Sequence, residues 1–421
     1  MPASTDIGLA LRRTTLGAAA PAMAQELAAA LGAALRACDP GAWIAQGVAF
    51  DRDAVRLGAL VLPRVRGARV HVLAVGKAAP AMADALATAL RHEPDATLWA
   101  VSKRDGASAT KDARVVSRVA SHPLPDGDSV AAAREALARA AACGPDDLLL
   151  VALSGGASSL LCAPAPGWTL ATVRERIASL QRVGAPIEVL NRERAAIDRI
   201  KHGGLARACP GRPCALVLVD VAGDAATAAG VVGSGPLWLP ERGVPHVVVA
   251  DNRTAVEAAM ARLALALPQG RVHQGVPLVG PAHVAGRALA AAALARRGEG
   301  PAAIVAGGET TTEIVGDGRG GRTLELALGA ARVLAGRRGV SVTVFATDGD
   351  DGNSGAAGAI VDGTTLQRLA ARGLDLDAAL ARSDSDALLS ALGDRIVTGP
   401  TRTNVCDLAI AWIDAADASA P

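Results

Sequence analysis

With 421 residues, of which 51% are hydrophobic and 20% charged, the chain has apolar content for more than one packed core, which excludes a disordered or linker-type protein. Its 43 basic and 41 acidic residues leave a net charge of +2 and form no Lys/Arg block, so neither nucleic acid nor a membrane surface is expected as partner, and a small-molecule substrate is. Six cysteines without a Cys-x-x-Cys pair read as reduced thiols, and no signal-like N-terminus or long apolar span is seen, so a cytoplasmic enzyme is expected.

In chain order, Ala and Leu at helical spacing over about 14–35 predict a leading helix that stops before Asp39-Pro40-Gly41. Val70–Val75 is an apolar run of strand length entering Gly76-Lys77-Ala78-Ala79-Pro80, and small residues over Met82–Leu90 predict a helix. Lys77 is a lone charge at the C-terminal end of a buried strand, where open α/β sheets bind ligands, although a solvated lysine reads the same way. Strands are expected over Thr97–Ser102 and at Val115-Val116, the latter entering Ser121-His122-Pro123-Leu124-Pro125-Asp126, a loop stiffened by two prolines. His122 there is a ligand-facing residue or a hydrogen-bonding structural group. A helix over Ser129–Ala142 follows. The apolar run after Asp147 then breaks into Ser154-Gly155-Gly156-Ala157-Ser158. Backbone N–H groups in such a turn suit an anion, and a helix starting near Ala157 would add its dipole. No Gly-Lys-Ser/Thr follows, so this is not a Walker A loop, and taken alone it reads equally as an ordinary strand-to-helix turn. The alternation of strands and helices predicts a parallel sheet covered on both faces.

Past a helix around Val173–Arg182, Asn191-Arg192-Glu193-Arg194 leads to Lys201-His202-Gly203-Gly204, where Lys201 faces either a ligand or its own helix's C-terminus. Ala215–Val219 reads as a strand ending in Asp220 and Asp224, and Gly233-Ser234-Gly235 makes a second anion-compatible turn. Acids at a strand edge beside such turns suggest Mg²⁺, which takes one or two carboxylates plus phosphate oxygens, although aspartates also cap turns. The pattern restarts at His246–Ala250 with a helix over Thr254–Leu267, which puts a domain boundary near residue 240. Ala302–Ala306 leads to Gly307-Gly308-Glu309-Thr310, Thr311–Val315 reads as a further strand, and Val342–Thr347 ends in Asp348-Gly349-Asp350-Asp351, followed by a small-residue helix. Gly316, Gly318 and Gly321 satisfy Gly-x-Gly-x-x-Gly with Asp348 at the next strand's end, which makes an NAD(P)H-dependent reductase a rival. Arg319 and Arg322, within and after those glycines, fit a phosphoryl or carboxylate grip as well. One acid of the 348–351 loop suits Mg²⁺ and another suits proton transfer from an attacking hydroxyl.

Eight segments in order resemble the motifs of class II glycerate kinases, the glycerate 2-kinase family with a C-terminal MOFRL domain. They are Val75–Ala79, Ser121–Asp126, Leu153–Ser159, Asp220–Asp224, Gly307–Thr310, Gly318–Arg322, Thr347–Gly352 and Thr398–Asn404. The resemblance implies an α/β protein of two domains, each a mostly parallel sheet flanked by helices: a Rossmann-like domain over 1–240 and a second over 241–421 that contains the MOFRL region from about 301, with the active site in the cleft between them. It further implies transfer of the γ-phosphoryl group of ATP to the 2-hydroxyl of D-glycerate or a related short hydroxy acid with a divalent metal, and some members have been labelled hydroxypyruvate reductases. On this reading the nucleotide lies at Lys77, Ser154, Gly155, Gly156 and Ser158, with Gly233, Ser234, Gly235 and Glu309, and Mg²⁺ lies near Asp220, Asp224 or Asp348. Asp348 and Asp351 join Lys77 and Arg322 in catalysis, and the hydroxy acid lies on Arg322, Arg194, Lys201 and Ser154. A monomer or homodimer is expected. Ala195 and Ala196 after Arg194, His202 after Lys201, Thr323-Leu324 after Arg322 and Leu237 after Pro236 depart from the family's usual wording, which keeps a non-catalytic paralogue that binds a sugar acid as a third reading.

Overall fold

The computed structural model describes residues 4–104, 110–182, 187–221 and 230–414. These residues form two compact units. One is drawn from Asp39–Asp251 and Arg402–Asn404, the other from Met1–Cys38, Asn252–Thr401 and Val405–Pro421. The break expected near residue 240 therefore falls between Asp251 and Asn252, and the leading segment belongs with the C-terminal half. That segment is also not one helix. Thr14 accepts from the Gly17 N–H and Pro21 opens a new helix, so Ser4–Arg13, Thr15–Ala19 and Pro21–Ala37 are separate. Among the described residues no helix is long and apolar enough to cross a membrane.

The Asp39–Asp251 unit starts with a small antiparallel sheet of β1 (Val48–Phe50), β2 (Ala54–Leu57) and β3 (Leu60–Pro63). Its main sheet contains β4 (Val70–Val75), β5 (Thr97–Lys103), β6 (Val115–Ala120), β7 (Leu148–Leu153), β8 (Arg212–Leu218) and β9 (His246–Ala250), in the order β6-β5-β4-β7-β8-β9 with every pairing parallel. All six residues of β7 are buried, as a strand covered by helices on both faces requires. The chain runs outward from β4 through β5 to β6 and returns to the other side of β4 for β7. The strand order thus reverses between β4 and β7, the point where such sheets open a ligand crevice at their C-terminal ends. Covering helices include Ala79–Ala89 and Gly127–Ala141; the second starts earlier than Ser129 because Asp126 and Ser129 form a reciprocal capping box.

The other unit holds β10 (Val272–Gln274), β11 (Ala302–Gly308), β12 (Val340–Ala346), β13 (Gly358–Asp362), β14 (Arg395–Ile396) and β15 (Asp407–Ile413), in the order β10-β11-β15-β12-β13-β14. This corrects the expectation of a second mostly parallel sheet: only β10–β11 is parallel, and the other pairings are antiparallel. The last strand inserts antiparallel between β11 and β12, and Gly358–Asp362, read as helical from its small residues, forms a strand because β12 offers it a free edge. Thr311–Val315 is no strand either; Thr311 makes one isolated bridge with Pro281. Helices Ala282–Ala295 and Arg322–Leu334 cover one face and cross at glycines. A methyl on Gly286 would lie 2.0 Å from the Leu326 carbonyl oxygen and one on Gly329 would lie 2.4 Å from that of His283, so only glycine permits this approach.

Candidate active site

The loops after β4, β7 and β8 meet at the reversal point of the parallel sheet. The Ser154 N–H donates to the Val75 carbonyl at 3.0 Å, the Lys77 N–H to the Gly155 carbonyl at 2.8 Å, and the Ala78 N–H to Ser154 Oγ at 3.0 Å. Ser154 is fully buried, so its side chain stitches two turns together and does not face a ligand, contrary to the expected substrate and nucleotide contacts. Gly156 has φ 87° and opens Ala157–Leu160, a single helical turn whose dipole is correspondingly small. What the turn offers an anion is instead its backbone: among the described residues the N–H groups of Gly155, Gly156 and Ser158 have no acceptor. A methyl on Gly156 would lie 3.1 Å from the His122 ring and 3.6 Å from Lys77 Cγ, so these two side chains flank the turn.

The second predicted turn packs against the first. Gly233, Ser234 and Gly235 all have positive φ (65°, 61° and 60°), a strained state for Ser234 that is held in place by neighbours. The His202 and Gly203 N–H groups donate to the Ser234 and Gly235 carbonyls at 3.0 and 2.7 Å. The Ser234 hydroxyl lies 2.8 Å from that of Ser158 and donates to Asn191 Oδ1 at 3.0 Å. Arg194 reaches the same Asn191 oxygen at 3.4 Å; burial pulls its pKa down and Asp198 pulls it back. Lys201 does neither of the things expected of it. Only 2% exposed, its Nζ donates to the carbonyls of Ser158 (2.7 Å) and Leu161 (2.6 Å), so the cation underpins the anion turn from below. Burial lowers its pKa and Asp198 opposes that shift. Lys201→Met strips both carbonyls of a charged donor and is expected to cost about 2–3 kcal/mol in urea denaturation. A midpoint equal to wild type would mean that the ammonium contributes nothing to the turn.

Asp220 stands at the end of β8 over Gly155, where a methyl would lie 2.1 Å from Asp220 Oδ2 and 2.3 Å from Asn404 Nδ2. Asn404 donates to Asp220 Oδ2 at 3.2 Å across 184 positions of sequence. Asp224, the other acid expected near Mg²⁺, lies outside the described residues. Among the described residues no group of three or more His, Cys, Asp or Glu side chains is arranged to hold a metal. Among the described residues Asp220 is the acid at this strand end that could hold a cation together with oxygens that the substrate supplies, and its hard carboxylate oxygens suit Mg²⁺.

The remaining predicted residues belong to the second unit. Asp407 opens β15 in register with Gly308 and Ala346, so the antiparallel strand puts its first residue among the C-terminal ends of β11 and β12. Arg322 grips Asp407 through Nε at 2.6 Å and Nη2 at 3.1 Å, and donates from Nη1 to Glu309 at 2.7 Å. Burial pulls its pKa down, but Asp407 and Glu309 outweigh that and hold it above the ordinary arginine value. Three of its five N–H donors are thus committed to carboxylates, which leaves two for a ligand. Asp351 is not placed as a base. Its carboxylate accepts from the Thr323 N–H at 3.1 Å and the Leu324 N–H at 3.0 Å, and so caps the Arg322–Leu334 helix. Asp348 takes the Asp350 N–H at 3.1 Å in its own turn. The rival dinucleotide fingerprint has a packing explanation: methyls on Gly316, Gly318 and Gly321 would strike Arg382, Asp384 and Asp351 at 2.3–2.6 Å, and no strand immediately precedes these glycines.

Burial raises the Asp351 pKa to about 6, against the two backbone N–H groups that lower it. Because the folded value lies above the unfolded one, about 3.9, the native state holds the proton more tightly, and this contribution to stability is present below pH 4 and lost as pH rises through 6. Relative to Asp351→Asn, the wild type is expected to lose about 2–3 kcal/mol between pH 4 and pH 7. Parallel pH dependences for the two proteins in denaturant titrations would show that Asp351 keeps an ordinary pKa.

Sequence reasoning left Asn191, Asn404 and Asp407 without roles. Asn404 lay inside a recognised motif, Thr398–Asn404, but nothing local says that it reaches Asp220. Comparisons with known proteins give the family. The family described as "Domain of unknown function (DUF4147)" matches residues 26–265, and the MOFRL family matches 302–407. A glycerate 2-kinase from Pyrococcus horikoshii is 32% identical over 432 residues, which cover 91% of this chain and 96% of the relative. A relative from Agrobacterium vitis that bears a hydroxypyruvate reductase name is 36% identical over 82% of this chain and 88% of its own length. The crystal structure of glycerate kinase from Thermotoga maritima aligns with a TM-score of 0.75 at 29% identity, covering 92% of this chain and 98% of that one.

Proposed function

Because this chain belongs to the class II glycerate kinase family, in which a DUF4147 domain is joined to a MOFRL domain, we propose that it transfers the γ-phosphoryl group of ATP to the 2-hydroxyl of D-glycerate or a related short hydroxy acid. The observation that carries the site is the Gly155–Ser158 turn, whose three N–H groups without an acceptor among the described residues sit at the reversal point of a parallel sheet with Lys77 beside them. Phosphoryl transfer asks little covalent chemistry of a protein and much positioning and charge neutralisation. Here the Gly155, Gly156 and Ser158 amides hold phosphate oxygens, the Lys77 ammonium meets charge on the transferring group, and Ser234 with Asn191 fixes the far wall. Asp220, oriented by Asn404, would hold Mg²⁺, which when bound neutralises phosphate charge. In the second unit Asp348 rather than Asp351 is assigned proton transfer from the hydroxyl, since both Asp351 oxygens serve a helix end. The six cysteine thiols, all buried and none in a disulfide, suit a cytoplasmic enzyme.

The test is ADP release measured over a panel of short hydroxy acids with NADH oxidation followed in parallel. ADP release with D-glycerate or a close analogue is expected, and Mg-ATP at about a hundredfold over its Kd should add about 3 kcal/mol to stability while NADH adds nothing. NADH-dependent turnover of hydroxypyruvate without any ADP release would replace the kinase by the reductase.

A further inference from the structure

The helix that Arg322 opens is capped from outside its own segment. At the N-cap stands Gly321, whose extended backbone (φ −170°) any residue adopts, and a serine or aspartate there would take the N–H groups of Thr323 and Leu324. Those two donors go instead to the two oxygens of Asp351, at 3.1 and 3.0 Å and from 28 and 27 positions away. Asp351 is buried, and a methyl on Gly321 would lie 2.3 Å from its Oδ1, so glycine stands at the cap because the Asp351 carboxylate fills the place of a capping side chain. The residues on either side are joined in the same way. The Gly320 N–H donates to Asn353 Oδ1 at 2.8 Å, the Asn353 N–H to the Gly320 carbonyl at 3.1 Å, and Arg319 to the Asn353 and Ser354 carbonyls at 3.2 Å each.

A serine at residue 321 would serve the helix end by itself. What the distant cap adds is a tie between two segments that carry chemistry. Arg322 is the first residue of the helix, and its tip is held by Asp407 and Glu309 while its base is held through Asp351. On the other side of the tie, Asp351 closes the turn that begins at Asp348. The opposite end of that turn is fixed to its own surroundings, the Thr347 N–H donating to the Cys406 carbonyl at 3.1 Å and the Thr401 N–H to the Asp348 carbonyl at 3.1 Å.

We propose that Asp351 is a positioning residue for phosphoryl transfer: by capping the Arg322 helix from the 348–351 turn, it sets the Arg322 guanidinium in place relative to Asp348. The proposal rests on the kinase reading above, with the two remaining Arg322 donors on the carboxylate of the hydroxy acid and Asp348 taking the proton of its hydroxyl. In a 2-hydroxy acid the hydroxyl sits on the carbon that bears the carboxylate, so the two protein groups must keep one separation, and a displacement of about 1 Å costs about a hundredfold in rate. Asp351 itself touches neither the substrate nor the reacting atoms, since both its oxygens serve backbone N–H groups.

The test separates capping from positioning. Asp351→Ala removes both acceptors, and Gly321→Ser added to it supplies a cap from the N-cap position itself, in the space that the carboxylate leaves. The double variant is expected to melt within about 3 °C of wild type. With D-glycerate, or the hydroxy acid that wild type turns over best, its KM for that acid should nonetheless rise at least about fivefold and its kcat fall at least about tenfold, at an unchanged KM for Mg-ATP. A partly unfolded sample lowers kcat alone, so the KM reports position and not the folded fraction. Return of both constants to wild-type values together with the melting temperature would overturn the proposal and leave Asp351 a helix cap. Asp351→Asn, which keeps the shape and one acceptor oxygen, covers the case in which the truncated variant does not fold: a rise of at least about threefold in the KM for the hydroxy acid is expected, and wild-type constants overturn the proposal equally. Failure of the kinase reading is seen separately, as wild-type protein that releases no ADP with any hydroxy acid, and it takes this proposal with it.

Discussion

Lys77→Met is expected to lower kcat by about a thousandfold while leaving the melting temperature within about 2 °C of wild type. The side chain can go without moving the site, because what fixes residue 77 is its backbone: its N–H donates to the Gly155 carbonyl, and the Ala78 N–H that follows is held by Ser154 Oγ. Methionine keeps the apolar stem that lies against Gly156 and removes the ammonium. The loss should fall on kcat, since a cation that meets developing charge on the transferring group contributes more in the transition state than in the bound ground state. Steady-state kinetics with ATP and the hydroxy acid varied in turn, beside a melting curve, checks this. A variant that turns over at near wild-type kcat would make Lys77 a surface residue and move the phosphate site elsewhere.

Arg322→Met is expected to destabilise the unit that contains it by about 3–5 kcal/mol. Asp407 is only 1% exposed, and its carboxylate receives two of the guanidinium's N–H groups, so the substitution strands a buried charge. Arg322→Lys should recover only part of this, because an ammonium cannot reproduce the forked pair of hydrogen bonds. Adding Asp407→Asn to Arg322→Met should recover stability by removing the stranded charge, a coupling that a double-mutant cycle in urea reads directly. Additive effects in that cycle would mean that the pair is not the source of the loss. If Arg322 also grips the hydroxy acid through its two remaining donors, the Lys variant shows a raised KM for that substrate and an unchanged KM for ATP.

The sequence by itself determined the doubly wound unit closely. Val70–Val75 and His246–Ala250 are strands with the bounds expected, and the turns at Gly76–Ala78, Ser154–Gly156 and Gly233–Gly235 stand where glycines interrupt apolar runs. Parallel strands buried on both faces announce themselves as unbroken apolar stretches, and a turn that needs positive φ announces itself as glycine; both signals are local. Only the tertiary structure decided what reaches across the chain. The Asp407–Ile413 strand enters the middle of its sheet antiparallel, and this puts Asp407 beside Glu309 and Arg322, a placement that no spacing encodes. The same holds for polar side chains. Ser154, Lys201 and Asp351 look in sequence like groups that meet a ligand, yet each is buried and spent on backbone groups of a neighbouring turn or helix end. A serine, a lysine or an aspartate beside glycines has the same local signature in either role. Which role it takes depends on whether an unsatisfied backbone donor or acceptor lies within reach, and that is settled only when distant segments pack and exclude water.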